Sequence, residues 1–387
     1  MSEISLPGGP EFSGHPPASG PCRVIGRLHR PLLLSTAAMA GLVFFGLVAM
    51  FFDDRQILGE SVWLKPVKFG LAFVLYSLTL AWLLSLPHAG RRFTWWLGVV
   101  FAITTVVDVG FVVVQAARGT FSHFNTETDA VNEIGQMIFA SGVPGLFVAN
   151  LLIAVIVSIR PGGDRPTVWA IRGGLVMAVV SMALGYLMGF TGTQLARTAD
   201  GRLVELAAGH TVVDADTRAA VGTPDAVAGM PITHWSTIGG DLRIPHFVGL
   251  HGIQVLLAVV VLLAWCARRY SWLRPDRTRS RLIGVAILGG GGLQAITFWQ
   301  AMRGQSLIHP DSVTLSALLG LGLLVTGLVV VIVIGSAPVL PPGDPREPQP
   351  RPAPARRNSG QRNPARRTPD RVSATVRRRA RVRPAPH

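Results

Sequence analysis

The chain has 387 residues, of which 49% are hydrophobic and only 15% are charged. An ordinary soluble protein carries about 25% charged residues, so this composition excludes a typical water-soluble domain. The formal net charge is +15, but 13 arginines and only 3 acidic residues lie in the last segment, 341–387. The basic character therefore belongs mainly to a tail and gives no argument for a nucleic-acid-binding fold.

Eight apolar runs follow one another along the chain, at 31–52, 69–87, 93–117, 134–159, 168–190, 244–267, 281–302 and 313–337. A helix needs about 20 apolar residues to cross a hydrocarbon core of about 30 Å, and a run in lipid must be helical to satisfy its own backbone. The sequence therefore predicts an all-α integral membrane protein with eight transmembrane helices. The first run lacks a cleavage-site pattern, so we expect an uncleaved helix.

The distribution of basic residues predicts the orientation, because cytoplasmic loops carry an excess of lysine and arginine. With the N-terminus inside, the inner segments hold 14 of these residues and the outer segments hold 9. We therefore expect both termini in the cytoplasm. The use of 34 arginines but only 2 lysines is typical of a GC-rich bacterial genome, which predicts a bacterial inner membrane. Cys22 and Cys266 form no C-x-x-C motif.

Composition predicts four parts. These are a cytoplasmic N-terminal segment 1–30, helices one to four in 31–160, helices five to eight in 167–340 with an outer loop at 191–243, and the tail 341–387. The tail is rich in proline and arginine and cannot bury a core, so we predict disorder there. Its arginines would attract anionic lipid headgroups or, alternatively, dock a cytoplasmic partner.

An internal repeat is indicated by matching helix ends. The third and seventh predicted helices end in Gln115–Gly119 and Gln300–Gly304, which share the pattern Q-A-x-R-G. The second and sixth predicted helices open with Pro66–Leu71 and Pro245–Leu250, which share P-x-x-x-G-L. These matches lie four helices apart and predict two parallel four-helix repeats. Their symmetry axis would run along the membrane normal, with a ligand site between the halves.

Asp108 lies near the middle of the third predicted helix. A charge at that depth is costly and by default indicates function. Thr104, Asp108, Gln115 and Arg118 recur at helical spacing and share one face. This polar stripe predicts the wall of a cavity that opens outward, or alternatively a structural hydrogen-bond network between helices.

Two Gln/Arg pairs occupy equivalent helix ends in the predicted repeat. Gln115 and Arg118 would approach Gln300 and Arg303 if the halves face each other. Arginine offers a planar fork of donors, so the two pairs could clamp an anionic group. The alternative is that the arginines reach toward lipid headgroups or pair with Asp53–Asp54.

Two further pairs of polar side chains lie at or within the predicted spans. Lys65 and Lys68 are the only lysines of the chain, which suggests that a compact ammonium group is needed at these positions. Ordinary interfacial anchoring beside Trp63 is the alternative. His251 and Gln254 share a face inside the sixth predicted helix. We include all four side chains among the predicted substrate-binding residues.

Four histidines offer an alternative site for a metal or a b-type haem. His246 and His251 are five residues apart, about 140° around a helix, so a straight helix cannot direct both at one ion. His123 and His309 would have to contribute from other helix ends. Hydrogen-bonded packing beneath the outer loop is the competing interpretation.

Three motifs carry a resemblance. They are W-x-K-P-x-K-F-G at Trp63–Gly70, R-G-x-x-S-H-F-N at Arg118–Asn125 and G-G-D-L-R-x-P-H-F-x-G-L-H at Gly239–His251. Their combination resembles a group of bacterial, chiefly actinobacterial, polytopic membrane proteins to which no activity is attached, so the resemblance implies no functional residue. The H-x4-H spacing departs from the H-x3-H of membrane hydrolases of the progestin-receptor and ceramidase type.

These features predict a transporter or binding protein for a small, anionic solute, with the loop 191–243 as a lid. A membrane enzyme or redox protein that uses the histidines is one alternative, so enzymatic activity stays an open question. A scaffold or assembly factor that acts through the tail 341–387 is another. No phosphate loop, G-x-S-x-G, H-E-x-x-H or dinucleotide motif is present.

Overall fold

The computed structural model describes residues 28–213 and 229–336. Nearly all of the predicted N-terminal segment and the whole predicted tail lie outside this range, as does part of the outer loop. The expectations for those segments stay predictions. Everything below concerns the described residues.

The described chain forms nine α-helices. They are α1 (Arg30–Ala49), α2 (Leu64–Ser85), α3 (Arg91–Ala117), α4 (Ala130–Ile159), α5 (Arg165–Tyr186), α6 (Arg243–Leu250), α7 (Gly252–Arg269), α8 (Asp276–Met302) and α9 (Ser312–Gly335). All except α6 are long and apolar enough to cross a membrane, with α5 continuing through a 3-10 turn to Phe190. The prediction of an all-α protein with eight membrane-spanning helices is confirmed.

Six short strands accompany the helices. They are β1 (Gln56–Ile57), β2 (Glu60–Ser61), β3 (Gln194–Arg197), β4 (Leu203–Leu206), β5 (Thr211–Val212) and β6 (Gly240–Asp241). They pair antiparallel as β1–β2, β3–β4 and β5–β6. The β3–β4 hairpin docks on the α3–α4 connection, where the Thr126 N–H donates to the Glu205 carbonyl over 3.2 Å. The described part of the outer loop therefore packs as a cap.

The sixth predicted helix, 244–267, is two helices in the structure. α6 and α7 meet at His251, whose backbone leaves the helical region at φ −90° and ψ 2°. In contrast, α8 continues without a break through its four glycines at 289–292. A Cβ added at Gly292 would lie 2.7 Å from Leu321 of α9. The glycines of α8 therefore serve close helix packing.

The helices pack in the same order in the two halves. In the first half, α1 packs on α2 and α3, α2 on α3, and α3 on α4. In the second half, α5 packs on the α6–α7 pair and on α8, α6 and α7 pack on α8, and α8 packs on α9. Contacts of α4 with α5 and of α2 with α7 join the halves. Sequence duplication itself stays a prediction, which this order supports.

Apolar side chains form both the core and the outer surface. One buried cluster extends from α1 to α7 and includes Leu80, Phe101 and Ile153 with Ile253 of the second half. Outward-facing side chains such as Phe44 and Leu323 are exposed. A broad apolar exterior is what a protein surrounded by lipid requires.

The two ends of the bundle differ in structure. We call the end that carries the connection 187–242 the loop end. There α3 ends beside the α1–α2 connection, where Arg55 donates to the Ala117 carbonyl over 3.0 Å. At the opposite end, α1 and α3 begin together, with His29 Nε2 2.8 Å from the Trp95 carbonyl oxygen. The loop end gathers the polar groups described next.

Candidate functional site

The three sequence motifs meet at the loop end. The first motif opens α2, where Pro66 suits the first helical turn. The second follows α3 and places His123 against α2, where its ring centroid lies 5.6 Å from that of Phe69. The third motif leads into α6 and places Arg243 close enough to Lys65 to repel its ammonium group. Segments that are distant in the sequence therefore form one polar cluster.

Lys65 is the central cation of this cluster. Its side chain is half-buried, and its only charged neighbours in the described residues are cations, Arg243 and Lys68. Within the described part of the chain, no hydrogen bond or ion pair engages the Lys65 ammonium group. Removing an unpaired charge from water is costly, so this arrangement favours an anionic ligand.

Lys68 is paired, in contrast. Its Nζ lies 3.2 Å from Glu60 Oε2 and 2.9 Å from the Ile232 carbonyl oxygen. Glu60 also contacts His234, with Nδ1 3.6 Å from Oε1. Burial opposes the charge of Glu60, but the contacts with His234 and Lys68 hold its pKa below the ordinary value. Lys68 therefore fastens the segment before α6 to the start of α2.

Arg243 also has a carboxylate of its own. Its Nε donates to Asp241 Oδ1 over 2.9 Å and its second terminal nitrogen donates to Asp241 Oδ2 over 2.6 Å. Asp241 is completely buried and accepts another bond from the Ser236 N–H over 2.8 Å. This fork geometry fixes the guanidinium group beside Lys65 and balances its charge.

The cluster holds more basic side chains than carboxylates. Lys68 and Arg243 are each matched by one carboxylate, Glu60 and Asp241. Lys65 has none among the described residues. The described members of this cluster therefore comprise three basic side chains and two carboxylates.

Two histidines lie near enough to these cations to be affected by their charge. Burial, Arg243 and Lys65 together lower the pKa of His210 well below its ordinary value. Burial and Lys65 do the same to the pKa of His123. Both imidazoles are therefore neutral near pH 7, and each retains one N–H donor. We call Lys65, Lys68, Arg243, His123 and His210 the Lys65 cluster.

The first predicted Gln/Arg pair is engaged within its own half. Arg118 forms an ion pair with Asp129, which caps α4, at 2.8 Å. It also donates to Gln115 Oε1 over 2.8 Å. Gln115 is completely buried and donates to Asn132 Oδ1 over 2.9 Å. At this end, the polar stripe forms a hydrogen-bond network between α3 and α4. This is the alternative to a cavity wall that the sequence left open for Gln115 and Arg118.

The second pair repeats this arrangement. Arg303 pairs with Asp311, the N-cap of α9, and lies over the Trp299 ring at 4.6 Å. Gln300 donates to the Ser306 carbonyl over 2.8 Å. Each arginine thus joins two consecutive helices of its own half. Both are held by chain carboxylates, so a joint clamp for an anion receives no support. Asp53 is held by Arg55 instead.

Asp108 lies apart from the Lys65 cluster. Its side chain packs in the seam between α3 and α4, where a Cβ added at Gly142 would meet Asp108 Oδ1 at 2.2 Å. Between Asp108 and the loop end lie the rings of Phe111 and Phe139, whose centroids are 5.0 Å apart. The predicted cavity wall is therefore closed at this level.

His251 and Gln254 lie at the break between α6 and α7. Among the described residues, His251 Nε2 and both polar atoms of the Gln254 amide are buried without a hydrogen-bond partner. His246, one turn earlier, is fixed to α5, since its Nδ1 lies 2.7 Å from the Ser181 carbonyl oxygen. The unpartnered groups of His251 and Gln254 therefore follow directly on the hydrogen bond that holds α6 against α5.

The four histidines of the alternative site have separate surroundings. His246 is bound to Ser181, His123 packs against Phe139 with ring centroids 4.3 Å apart, and His309 is exposed beyond α8. Residues 28–213 and 229–336 contain no group of three or more His, Cys, Asp or Glu side chains that could hold a metal ion. A metal or haem site at these histidines stays a prediction.

Sequence reasoning missed four members or supports of the cluster, namely Arg243, His210, Glu60 and Asp241. The motif G-G-D-L-R contained Asp241 and Arg243, and its charged pair was a usable signal. His210 carried none, because it reaches the cluster only after the outer loop folds back. The Leu242 N–H donates to the His210 carbonyl over 3.0 Å, and this pairing is what brings His210 to the site.

No family model, curated protein or solved structure matches the chain. What the protein does must therefore be inferred from its own side chains, chiefly from the Lys65 cluster.

Proposed function

We propose that the protein binds a small anion at the Lys65 cluster and carries it across the membrane. The observation that supports this proposal most is the lack of any attractive partner for Lys65 in the described residues. An ammonium group held beside two other cations needs a negative charge to offset its desolvation. A carboxylate or an oxyanion such as sulfate would supply that charge.

The neighbours of Lys65 suit such a ligand. Arg243 is held in place by Asp241, so it is preorganised before binding. His123 and His210 are neutral donors that add hydrogen bonds without a second charge to desolvate. The cluster therefore favours a small anion of low charge that accepts several hydrogen bonds.

The position of the cluster supports transport as well as binding. Lys65 belongs to the first half of the chain and Arg243 to the second, so the proposed site lies between halves that pack in the same order. Transporters commonly bind their solute between such halves, beside interrupted helices. The break between α6 and α7, with the unpartnered Gln254 amide, is an interruption of this kind.

We further propose that the loop end faces outward and that both termini are cytoplasmic, in a bacterial inner membrane. The opposite end carries the inner basic residues of the sequence, among them Arg91 and Arg165, which begin α3 and α5. An excess of arginine on the cytoplasmic side fits this orientation.

Anion-dependent thermal unfolding of the full-length protein in detergent tests the proposal. Sulfate, acetate and nitrate would each be added at constant ionic strength against chloride, which is neither a carboxylate nor an oxyanion. A ligand that binds only the folded state raises its stability. We expect at least one anion to stabilise the wild type and Lys65→Met to weaken its binding about 10- to 100-fold, the value of one charge-assisted hydrogen bond.

Arg202→Gln is the matched control, because it removes an exposed cation of the same loop end that pairs with Glu127 and Asp200. It should leave anion binding unchanged. Stabilisation by none of the anions, or equal binding by Lys65→Met and the wild type, would overturn the proposal. Uptake of the bound anion into proteoliposomes then separates transport from binding alone.

A further inference from the structure

The carboxyl group of Asp108 lies in a slot that exists because Gly142 of α4 has no side chain. Asp108 lies near the middle of α3 and is buried. Gly142 of α4 leaves room for its carboxyl group, because a Cβ there would meet Asp108 Oδ1 at 2.2 Å. The contact places the carboxyl group directly against the α4 backbone.

The carboxyl group has no compensating charge or donor. Asp108 Oδ1 is buried and has no hydrogen-bond partner among the described residues. The neighbouring helices offer no cation at this level. α1 carries only Arg30, at the opposite end, and α4 carries only Glu133, exposed at the loop end. α2 has its two lysines at its start, and its Tyr76 hydroxyl donates to Asn150 over 2.9 Å.

An unpaired carboxylate in such surroundings is strongly disfavoured, whereas a neutral carboxylic acid is tolerated. The slot is also closed toward the loop end. Phe111 fills the space left by Gly135, since a Cβ on Gly135 would lie 1.8 Å from the Phe111 ring. Pro144, two residues beyond Gly142, lies inside α4 and removes one helical hydrogen bond. α4 can therefore bend beside the slot.

A chain of ring contacts connects the slot to the Lys65 cluster. Phe111 contacts Phe139 at 5.0 Å between centroids, and Phe139 contacts His123 at 4.3 Å. His123 in turn contacts Phe69 at 5.6 Å, one turn along α2 from Lys65. Movement of α4 at the slot would therefore displace His123 at the cluster.

We propose that Asp108 is an occluded proton-binding site and that its protonation is coupled to anion binding at the Lys65 cluster. The carboxylate takes up one proton from water when the α3–α4 seam opens and becomes a neutral acid when the seam closes. The uptake of one positive charge offsets one negative charge of the anion. The coupling rests on the proposed function, whereas the proton site does not.

Infrared spectroscopy of the full-length protein in lipid tests the proton site directly. At neutral pH we expect the carbonyl stretch of a protonated carboxyl group, which shifts when aspartate side chains are labelled with 13C. Asp108→Asn should remove this band, and Glu133→Gln, which neutralises the exposed acid of α4, should leave it. Gly142→Ala should shift its frequency by displacing the carboxyl group. A spectrum without the band, or one unchanged by Asp108→Asn, would overturn the proton site.

Proton uptake tests the coupling. Sulfate and acetate would be added to the weakly buffered protein with a pH indicator, at an alkaline pH where the infrared band of the anion-free protein has been lost and Asp108 is ionised. The wild type should take up about one proton per bound anion. Asp108→Asn should still be stabilised by the anion but lose the uptake, and Lys65→Met should show neither at an anion concentration that only just saturates the wild type. Proton uptake that persists in Asp108→Asn would refute the coupling. Anion binding of wild-type strength in Lys65→Met would instead refute the proposed function, and the infrared band would still decide the proton site.

Discussion

The two halves of the molecule pack their helices in the same order and differ in where they place charge. The chain leaves α3 through Gly119, which has φ +69°. It leaves α8 through Gly304, which has φ +70°. In each case an arginine just before this glycine pairs with the aspartate that caps the next helix, Asp129 or Asp311. Glycine is the residue that adopts this left-handed turn without steric cost. The pattern Q-A-x-R-G therefore specifies a helix end.

The same alignment sets unlike residues against each other inside the membrane. Asp108 corresponds to Leu293, and the adjoining Gly142 corresponds to Leu324 when α4 and α9 are aligned on their capping aspartates. Lys65 corresponds to Ile244 in the shared P-x-x-x-G-L opening. The first half thus carries the proposed proton site and the main cation of the anion site. The second half contributes Arg243. If the chemistry lies mainly in one of two halves that pack in the same order, substitutions at corresponding positions should have unequal effects.

The largest effect should come from filling the α3–α4 seam. Gly135→Ala places a methyl group 1.8 Å from the Phe111 ring, and overpacking of this kind costs about 1–3 kcal/mol. Gly320→Ala, on α9 of the second half, meets nothing within 4 Å and should stay within about 0.5 kcal/mol of the wild type. Thermal unfolding in detergent measures both. Equal losses in the two variants would mean that the seams are packed alike.

The helices were predictable because long apolar runs have one solution in lipid. The break at His251 was not, since Arg243–Leu250 and Gly252–Arg269 form one continuous apolar pattern in the sequence. Lys65 and Lys68 were predicted as ligand contacts from their rarity, and the structure places both in the cluster. The pairing of Arg118 and Arg303 with aspartates was missed, because a cap and a ligand clamp require the same residue types.

The proximity of Arg243 to Lys65 could not have been predicted either. These residues are distant in the sequence, and their approach depends on β6 packing against the end of α8. A Cβ at Gly240 would lie 1.9 Å from the Ala301 carbonyl oxygen, so only glycine permits that approach. Periodicity reports which face of a helix is polar, but it carries no information on tertiary contacts of this kind.

An intermediate effect is expected at the α6–α7 break. Gln254 corresponds to Leu75 of the first half, and its amide is buried without a partner among the described residues. Gln254→Leu should therefore stabilise the anion-free protein by about 1 kcal/mol, since it removes an unsatisfied polar group. Gln294→Leu is the matched comparison. The Gln294 amide donates to the Met177 carbonyl over 3.4 Å, so that variant should be destabilised.

Thermal unfolding without added anion distinguishes these two variants. A loss of stability in Gln254→Leu would show that the amide has a partner beyond the described residues and that the break is tightly packed. A gain in stability would show that leucine suits this position in the second half as it does at Leu75 in the first. It would indicate that the second half keeps a polar group at this position at a cost to stability.

The smallest effect should come from the feature that the halves share. Arg118→Gln and Arg303→Gln each remove an exposed ion pair at a helix end, and such pairs contribute about 0–1 kcal/mol. Hydrogen bonds from Arg118 and Arg303 lower the pKa of Asp129 and of Asp311, respectively. A lowered pKa in the folded state stabilises the protein above the ordinary value of 3.8, and this contribution is lost as the pH falls through the folded pKa.

The difference in stability between each variant and the wild type should therefore be small at pH 7 and decrease further as the pH falls below 3.8. It should also be similar in the two halves, because the same turn and the same cap are broken. Thermal unfolding measured from pH 7 down to about pH 3 tests this expectation. An unequal pair of variants would mean that one arginine has a further role, and the larger loss would identify which half has converted its cap into a ligand contact.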